Sequence, residues 1–210
     1  MVDRSNSIVA LRRFVAPHGE THRCDFCSLG LAEGHRHLLE MTARKLVCVC
    51  DPCALRFQNV TDGRFKLIPR EVYELRDLPI TEAEWNELAL PISLAFFYRS
   101  SITGRTAALC PSPAGATESL VPLPAVENLI AEHFAFANMP SDVEALLINR
   151  LGANHRYFRT PIDVCFELVG LIRKHWRGLS GGELVWSEID SFFGKLQRMS
   201  LPQASAPVYA

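Results

Sequence analysis

The chain has 210 residues, of which 48% are hydrophobic and 21% charged, with a formal net charge of −1. That composition supplies enough apolar material for one large core or two small ones and excludes general disorder. The near-zero balance also removes any global electrostatic pull toward nucleic acid or an anionic membrane.

The charge is unevenly spread: residues 1–70 hold 11 Lys/Arg against 7 Asp/Glu, and residues 71–210 hold 11 against 16. Arg12 and Arg13 break the N-terminal apolar run well short of a secretory core, and no window reaches the ~18 apolar residues a spanning helix needs. No signal peptide, no transmembrane helix and no membrane partner are expected. The seven cysteines are odd in number and grouped, which suits metal ligation in a reducing compartment, and the cytoplasm is the expected location.

In chain order, residues 1–16 read as an amphipathic lead-in with Ile8, Val9, Leu11, Phe14 and Val15 on its apolar side, ended by Pro17-His18-Gly19. Between Cys24 and Cys53 stand two C-x-x-C pairs, Cys24/Cys27 and Cys50/Cys53. Each pair belongs on a tight turn whose N–H groups point at the sulfurs, and two such pairs a hairpin apart match the needs of a tetrahedral zinc site. Residues 37–41 and 45–49 read as the hairpin strands. Pro52 suits a first helical turn, so a short helix is expected from Cys53 to Phe57. Turn, hairpin, turn and helix give a treble-clef finger; a strand after the second turn would give a zinc ribbon instead.

The expected metal ligands are Cys24, Cys27, Cys50 and Cys53. Cys48 is two residues from Cys50 on the same strand face and competes with it for the fourth position. His35 and His37 lie between the pairs and could substitute for a cysteine, although a surface or supporting role is the default; His18 and His22 precede the first pair. Zinc is expected in preference to iron. Rubredoxin knuckles resemble C-x-x-C-G and C-P-x-C-G, whereas Ser28 and Ala54 follow the second cysteines here and Pro52 precedes Cys53.

Residues 63–70 alternate as one more strand. In the charged connector that follows, Thr81-Glu82-Ala83-Glu84 fits a capping box for a short helix with Trp85 and Leu88. Residues 90–98 and 105–110 read as a hairpin whose first strand is buried on both faces. The stretch 111–119 (P-S-P-A-G-A-T-E-S) reads as a strand-to-helix loop, 124–137 as a helix, 143–149 as a strand and Tyr157-Phe158 as an edge. Thr160-Pro161 is expected to cap a helix running to about Trp176, and Ser180–Glu183 to form a capping box for a last helix. The expected division is 1–70 zinc-binding module with its lead-in, 71–199 α+β domain, and 200–210 disordered tail, giving an α+β protein: a treble-clef or zinc-ribbon-like module plus a small mixed sheet with C-terminal helices.

No G-x-S-x-G elbow, Walker pattern, dinucleotide fingerprint or catalytic carboxylate pair is present, and no enzyme is expected. Cys110 or Ser112 could serve as a nucleophile, but a structural role in a plain connection is expected of both. The basic residues Arg36, Arg44, Lys45, Arg56, Arg64 and Lys66 lack the interleaved aromatics of a nucleic-acid surface, so no nucleic-acid partner is expected.

The stretches C-D-F-C (24–27), H-R-H-L-L-E (35–40), C-V-C-D-P-C-A-L-R-F (48–57), L-P-I-S-L-A-F-F-Y-R-S-S (90–101), P-S-P-A-G-A-T-E-S (111–119), D-V-E-A-L-L-I-N-R (142–150) and the segment 161–182 ending H-W-R-G-L-S-G-G together carry a resemblance. They resemble an uncharacterised bacterial family encoded near nickel–iron hydrogenase genes of the actinobacterial high-affinity type. The resemblance covers most of residues 14–199. It implies an accessory or maturation role beside hydrogenase subunits, with a protein partner that is a hydrogenase subunit or maturation factor, and it brings no catalytic residues. Under it, the 111–119 stretch and the 175–182 turn become candidate partner surfaces. The expected function is thus a non-enzymatic, zinc-binding, partner-binding accessory protein. The alternatives are a rubredoxin-like iron electron carrier and a nucleic-acid-binding zinc-finger regulator.

Overall fold

The computed structural model describes residues 22–58, 63–76, 78, 80–119 and 138–202. The lead-in 1–16, the helix expected at 124–137 and residues 203–210 of the tail lie outside the described residues. The chain divides into two compact units, Met1–Arg70 and Glu71–Ala210.

Unit 1 is built on a hairpin. Strands β1 (Arg36–Glu40) and β2 (Lys45–Val49) pair antiparallel with Leu38 opposite Val47 and His37 opposite Cys48. Strand β3 (Phe65–Leu67) adds to the other side of β1, giving the order β2-β1-β3. The strand alternation turns Leu38, Val47 and Val49 into a small core closed by Ala54 and sets His37 and Cys48 on the opposite face. Ala54 belongs to helix α1 (Asp51–Phe57), which starts two residues earlier than expected, with Cys50 as its N-cap and Pro52 in its first turn. A helix here, and not a strand, is the treble-clef order.

Unit 2 is a seven-stranded sheet with helices. Its described elements are β4 (Tyr73–Glu74), α2 (Glu82–Glu87), β5 (Leu94–Arg99), β6 (Thr106–Ser112), β7 (Gly115–Ser119), β8 (Glu144–Asn149), β9 (Arg156–Pro161), α3 (Ile162–His175), α4 (Gly182–Met199) and β10 (Leu201–Pro202). The spatial order is β10-β4-β9-β8-β5-β6-β7, antiparallel throughout except for the β10–β4 pair. All six residues of β8 and the first five of β5 are buried. An antiparallel sheet often leaves one face wet, so unbroken apolar runs mean cover on both sides. On one face Ala95, Phe97, Leu146 and Ile148 meet Leu78, Ile80, Trp85 and Leu88 around α2. On the other, Phe96 meets Phe166 of α3 edge-on at 5.8 Å and Phe158 meets Phe193 of α4 at 6.1 Å.

Helix α2 has the expected capping box: the Glu84 N–H donates to Thr81 Oγ1 at 3.2 Å, and the Thr81 N–H donates to Glu84 Oε2 at 2.6 Å. Other expectations are corrected. The 111–119 stretch is not a crossover loop but the turn and outer strand of a β6–β7 hairpin, with Ser112 opposite Gly115. Tyr157-Phe158 is not an edge, since β9 lies between β4 and β8. Thr160 stays in β9 with its hydroxyl 3.3 Å from Cys165 Sγ, so the N-cap of α3 is Pro161, with no side-chain cap. The N-cap of α4 is Gly181 in left-handed conformation (φ +87°), not Ser180. Residues 200–202 are ordered, since Ser200 caps α4 and Leu201–Pro202 forms β10.

A Cβ at Gly181 would lie 2.8 Å from Val185 Cγ1 and 3.1 Å from the Trp176 ring, at a backbone angle that disfavours side chains. Gly181→Ala should therefore cost about 1–3 kcal/mol in urea unfolding. The buried Glu144 carboxylate accepts from Arg159 Nε at 2.6 Å; burial pushes its pKa up and Arg159 opposes the rise. Arg159→Met removes that opposition and should destabilise unit 2 by about 3 kcal/mol at neutral pH. A raised carboxyl pKa disfavours the fold above it, so this deficit should shrink as pH falls toward the ordinary carboxylate range; urea midpoints measured against pH give the test, and a pH-independent deficit would refute it.

Candidate metal centre

The first pair of cysteines sits on a turn before β1. The Cys24 N–H donates to Leu29 O and the Ser28 N–H to Cys24 O, each at 2.8 Å, and Ser28 takes the left-handed conformation (φ +61°) that glycine fills in the rubredoxin pattern. The turn is tied to β2 twice: the Asp25 N–H donates to Cys48 O at 2.8 Å, and the Cys48 N–H donates to Asp25 Oδ2 at 2.9 Å. Phe26 stacks on Phe57 of α1 at 4.0 Å and meets Phe65 of β3 edge-on at 5.4 Å. The second pair sits where β2 turns into α1, with Cys50 before the helix and Cys53 in its first turn.

These elements bring four sulfurs together. The Sγ atoms of Cys24, Cys27, Cys50 and Cys53 lie within 4.8 Å of one another, and Cys27 and Cys50 are 3.6 Å apart. Zinc–thiolate bonds of about 2.3 Å give a tetrahedral edge of ~3.8 Å, so the donor set fits a four-coordinate ion. None of the seven cysteines is in a disulfide. Cys24 is pulled two ways: burial opposes its ionisation, but bonds from the backbone N–H groups of Cys50, Cys27 and Phe26 prevail and bring its pKa down to about 6. Burial and then its sulfur neighbours Cys50, Cys24 and Cys27 push Cys53 up to about 12. Without a cation the cluster can ionise only in part, and a bound metal ion would let the remaining thiols deprotonate as ligands.

Cys48 stands elsewhere. Its sulfur groups with ring nitrogens of His22 and His35, again within 4.8 Å of one another. Burial lowers the His35 pKa against the opposing bond to Ala32, and His37, His22 and Arg70 lower it further. The grouping of Cys48 with His22 and His35 was not legible in the sequence, where alternation placed Cys48 beside Cys50; β2 ends at Val49 and Cys50 is already the N-cap of α1, so that alternation does not carry through. Cys110 is buried in the core, and burial raises its thiol pKa. Ser112 Oγ donates to Gly115 O at 2.8 Å within its hairpin. Cys165 is fully buried, its pKa pushed up to about 12 by that burial. These three read as structural.

The family of unknown function DUF5947 matches residues 23–200. The chain belongs to this family. No curated protein and no solved structure matches the chain. The DUF5947 match takes in all seven cysteines and, among the described residues, every strand and helix except β10. Among the described residues, no helix is long and apolar enough to cross a membrane.

Among the described residues the core of unit 1 is a small cluster, so a metal ion on the four sulfurs would contribute to its stability. A strong chelator added to the full-length protein, or Cys24→Ser, should speed hydrogen exchange at the amides of β1, β2 and α1. Amides of β5, β8 and β9 should keep their protection. Unchanged protection in unit 1 under both treatments would show that its fold needs no ion.

Proposed function

We propose that this DUF5947 chain is a non-enzymatic accessory protein in which zinc, held by Cys24, Cys27, Cys50 and Cys53, staples unit 1. The observation that carries this reading is the closed donor set: four protein sulfurs within 4.8 Å leave a tetrahedral ion no position for substrate. The function then lies on surfaces, and a partner-binding role is supported by the turn between α3 and α4. Leu179 there is fully exposed, and at the start of α4 Leu184 is 56% and Trp186 41% exposed. Trp186 is fixed by its Nε1–H donating to Ser180 O at 3.1 Å and by the Trp176 ring at 5.9 Å. Exposed apolar side chains beside a fixed aromatic are a common feature of protein-binding surfaces.

The partner we infer is a subunit or maturation factor of nickel–iron hydrogenase, on the strength of the sequence resemblance, in the cytoplasm. Tagged protein purified from its native host should bring down such a partner and carry zinc by elemental analysis. Leu179→Asp, at a position with no packing to lose, should cut partner recovery at least several-fold while zinc content is kept. Recovery of no hydrogenase-related protein would overturn the partner assignment, and a red, iron-containing preparation would overturn the zinc.

A further inference from the structure

We propose that unit 1 holds a second metal site, formed by His22, His35 and Cys48 and taking a divalent transition-metal ion. The three residues come from separate segments. His22 precedes the first cysteine turn and is held by the Leu31 N–H donating to its carbonyl at 2.7 Å. His35 stands just before β1, and Cys48 lies in β2, braced by Asp25. Their ligand atoms nevertheless converge within 4.8 Å.

An independent observation points to a ligand there. His35 Nδ1 is 3.0 Å from the carbonyl of Ala32, and a carbonyl can only accept, so Nδ1 carries the proton. In the neutral ring that leaves Nε2 as a lone pair. Nε2 is buried and has no hydrogen-bond partner among the described residues. A buried acceptor left without a partner is costly, and this one belongs to a ring that meets a second imidazole and a thiol. A ring whose outer N–H is fixed by a backbone carbonyl is the usual arrangement of a metal-binding histidine. The rings of His22 and His37 flank it at 5.2 and 4.7 Å and limit its rotation.

The donors decide the ion class. Two imidazoles and a thiolate suit zinc, cobalt, nickel or copper, while magnesium and calcium demand oxygen. Three protein ligands leave a coordination position open, as in sites that exchange a ligand and unlike the closed four-sulfur set. The inference does not rest on the four-sulfur site being loaded, because Cys48 and both histidines are outside that set.

The test is equilibrium dialysis of the full-length, as-purified protein against cobalt(II) at neutral pH, with total metal per chain from elemental analysis. Wild type should bind two ions per chain. Cys48→Ser and His35→Gln should each bind one fewer than wild type, with far-UV circular dichroism unchanged. His22→Asn, at an exposed position, should lose the same ion and serves if either of the others does not fold. If the four-sulfur reading failed, wild type would bind one ion and these variants none. A folded variant of this set that binds as much metal as wild type would overturn the second site.

Discussion

Four sulfur atoms gathered within 4.8 Å set up a conflict that the rest of unit 1 is arranged around. Thiolates at that distance repel, and the chain holds one of them, Cys24, poised to ionise while Cys53 is pushed far the other way. Only a cation among them lets all four act as ligands. The backbone does the positioning: a turn clamped to β2 through Asp25, and a helix that starts on Cys50 and carries Cys53 in its first turn. Phe26, Phe57 and Phe65 join the turn, helix and outer strand with aromatic contacts. The same hairpin has a second face, and there Cys48 keeps company with His22 and His35. One strand, β2, therefore links two different donor sets, one closed and sulfur-only, the other mixed and open.

Unit 2 obeys a different constraint. Its central strands β5 and β8 are apolar on both faces, so the sheet needs cover from two directions. Helices α3 and α4 cover one side, and α2 with the segment around it covers the other. Two buried charged residues, Glu144 and Arg150, are matched within this scheme. Glu144 is answered by Arg159, and Arg150 reaches Glu82, the carbonyl of Ile80 and the hydroxyl of Tyr157, which pins α2 to the sheet. Among the exposed apolar residues of the unit, Leu179, Leu184 and Trp186 lie at or just after the turn between α3 and α4.

Elements with strong local chemistry were legible in the sequence. The C-x-x-C pairs, the alternating strand at 45–49, the apolar run at 143–149, and the Thr81–Glu84 box each depend on neighbours a few residues away. Features decided by distant partners were not. The stretch 111–119 looked like a loop because of its prolines and small residues, yet Pro113 and Ala114 make the turn of a hairpin and Gly115–Ser119 pairs with β6. Tyr157-Phe158 looked like an edge because the two-residue β4 that covers it lies far back in the chain, in a segment dominated by charge. Thr160 and Ser180 are good caps by residue type, but Thr160 is drawn into β9 beside Cys165, and the left-handed Gly181 closes the turn before α4. At the metal centre the four cysteines were legible from spacing. The partners of Cys48 were not, since no sequence spacing relates it to His22 and His35.

The sheet order of unit 2 has a consequence for how a ribosome must deliver it. Strand β4 is among the first parts of the unit to be made, yet its two neighbours are β9 and β10, the last two strands of the sheet. Leu201 donates its N–H to Val72 O at 2.8 Å and Gln197 Nε2 donates to Glu74 Oε1 at 2.7 Å, so the end of α4 and β10 return to the segment where the unit starts. During synthesis the residues of β4 leave the exit tunnel with no strand to pair with, while the β5–β6–β7 meander can form from contiguous chain. Long-range pairings of this kind are slow to close and leave edges open meanwhile. The short length of β4, two residues, keeps that waiting edge from being an efficient template for another chain.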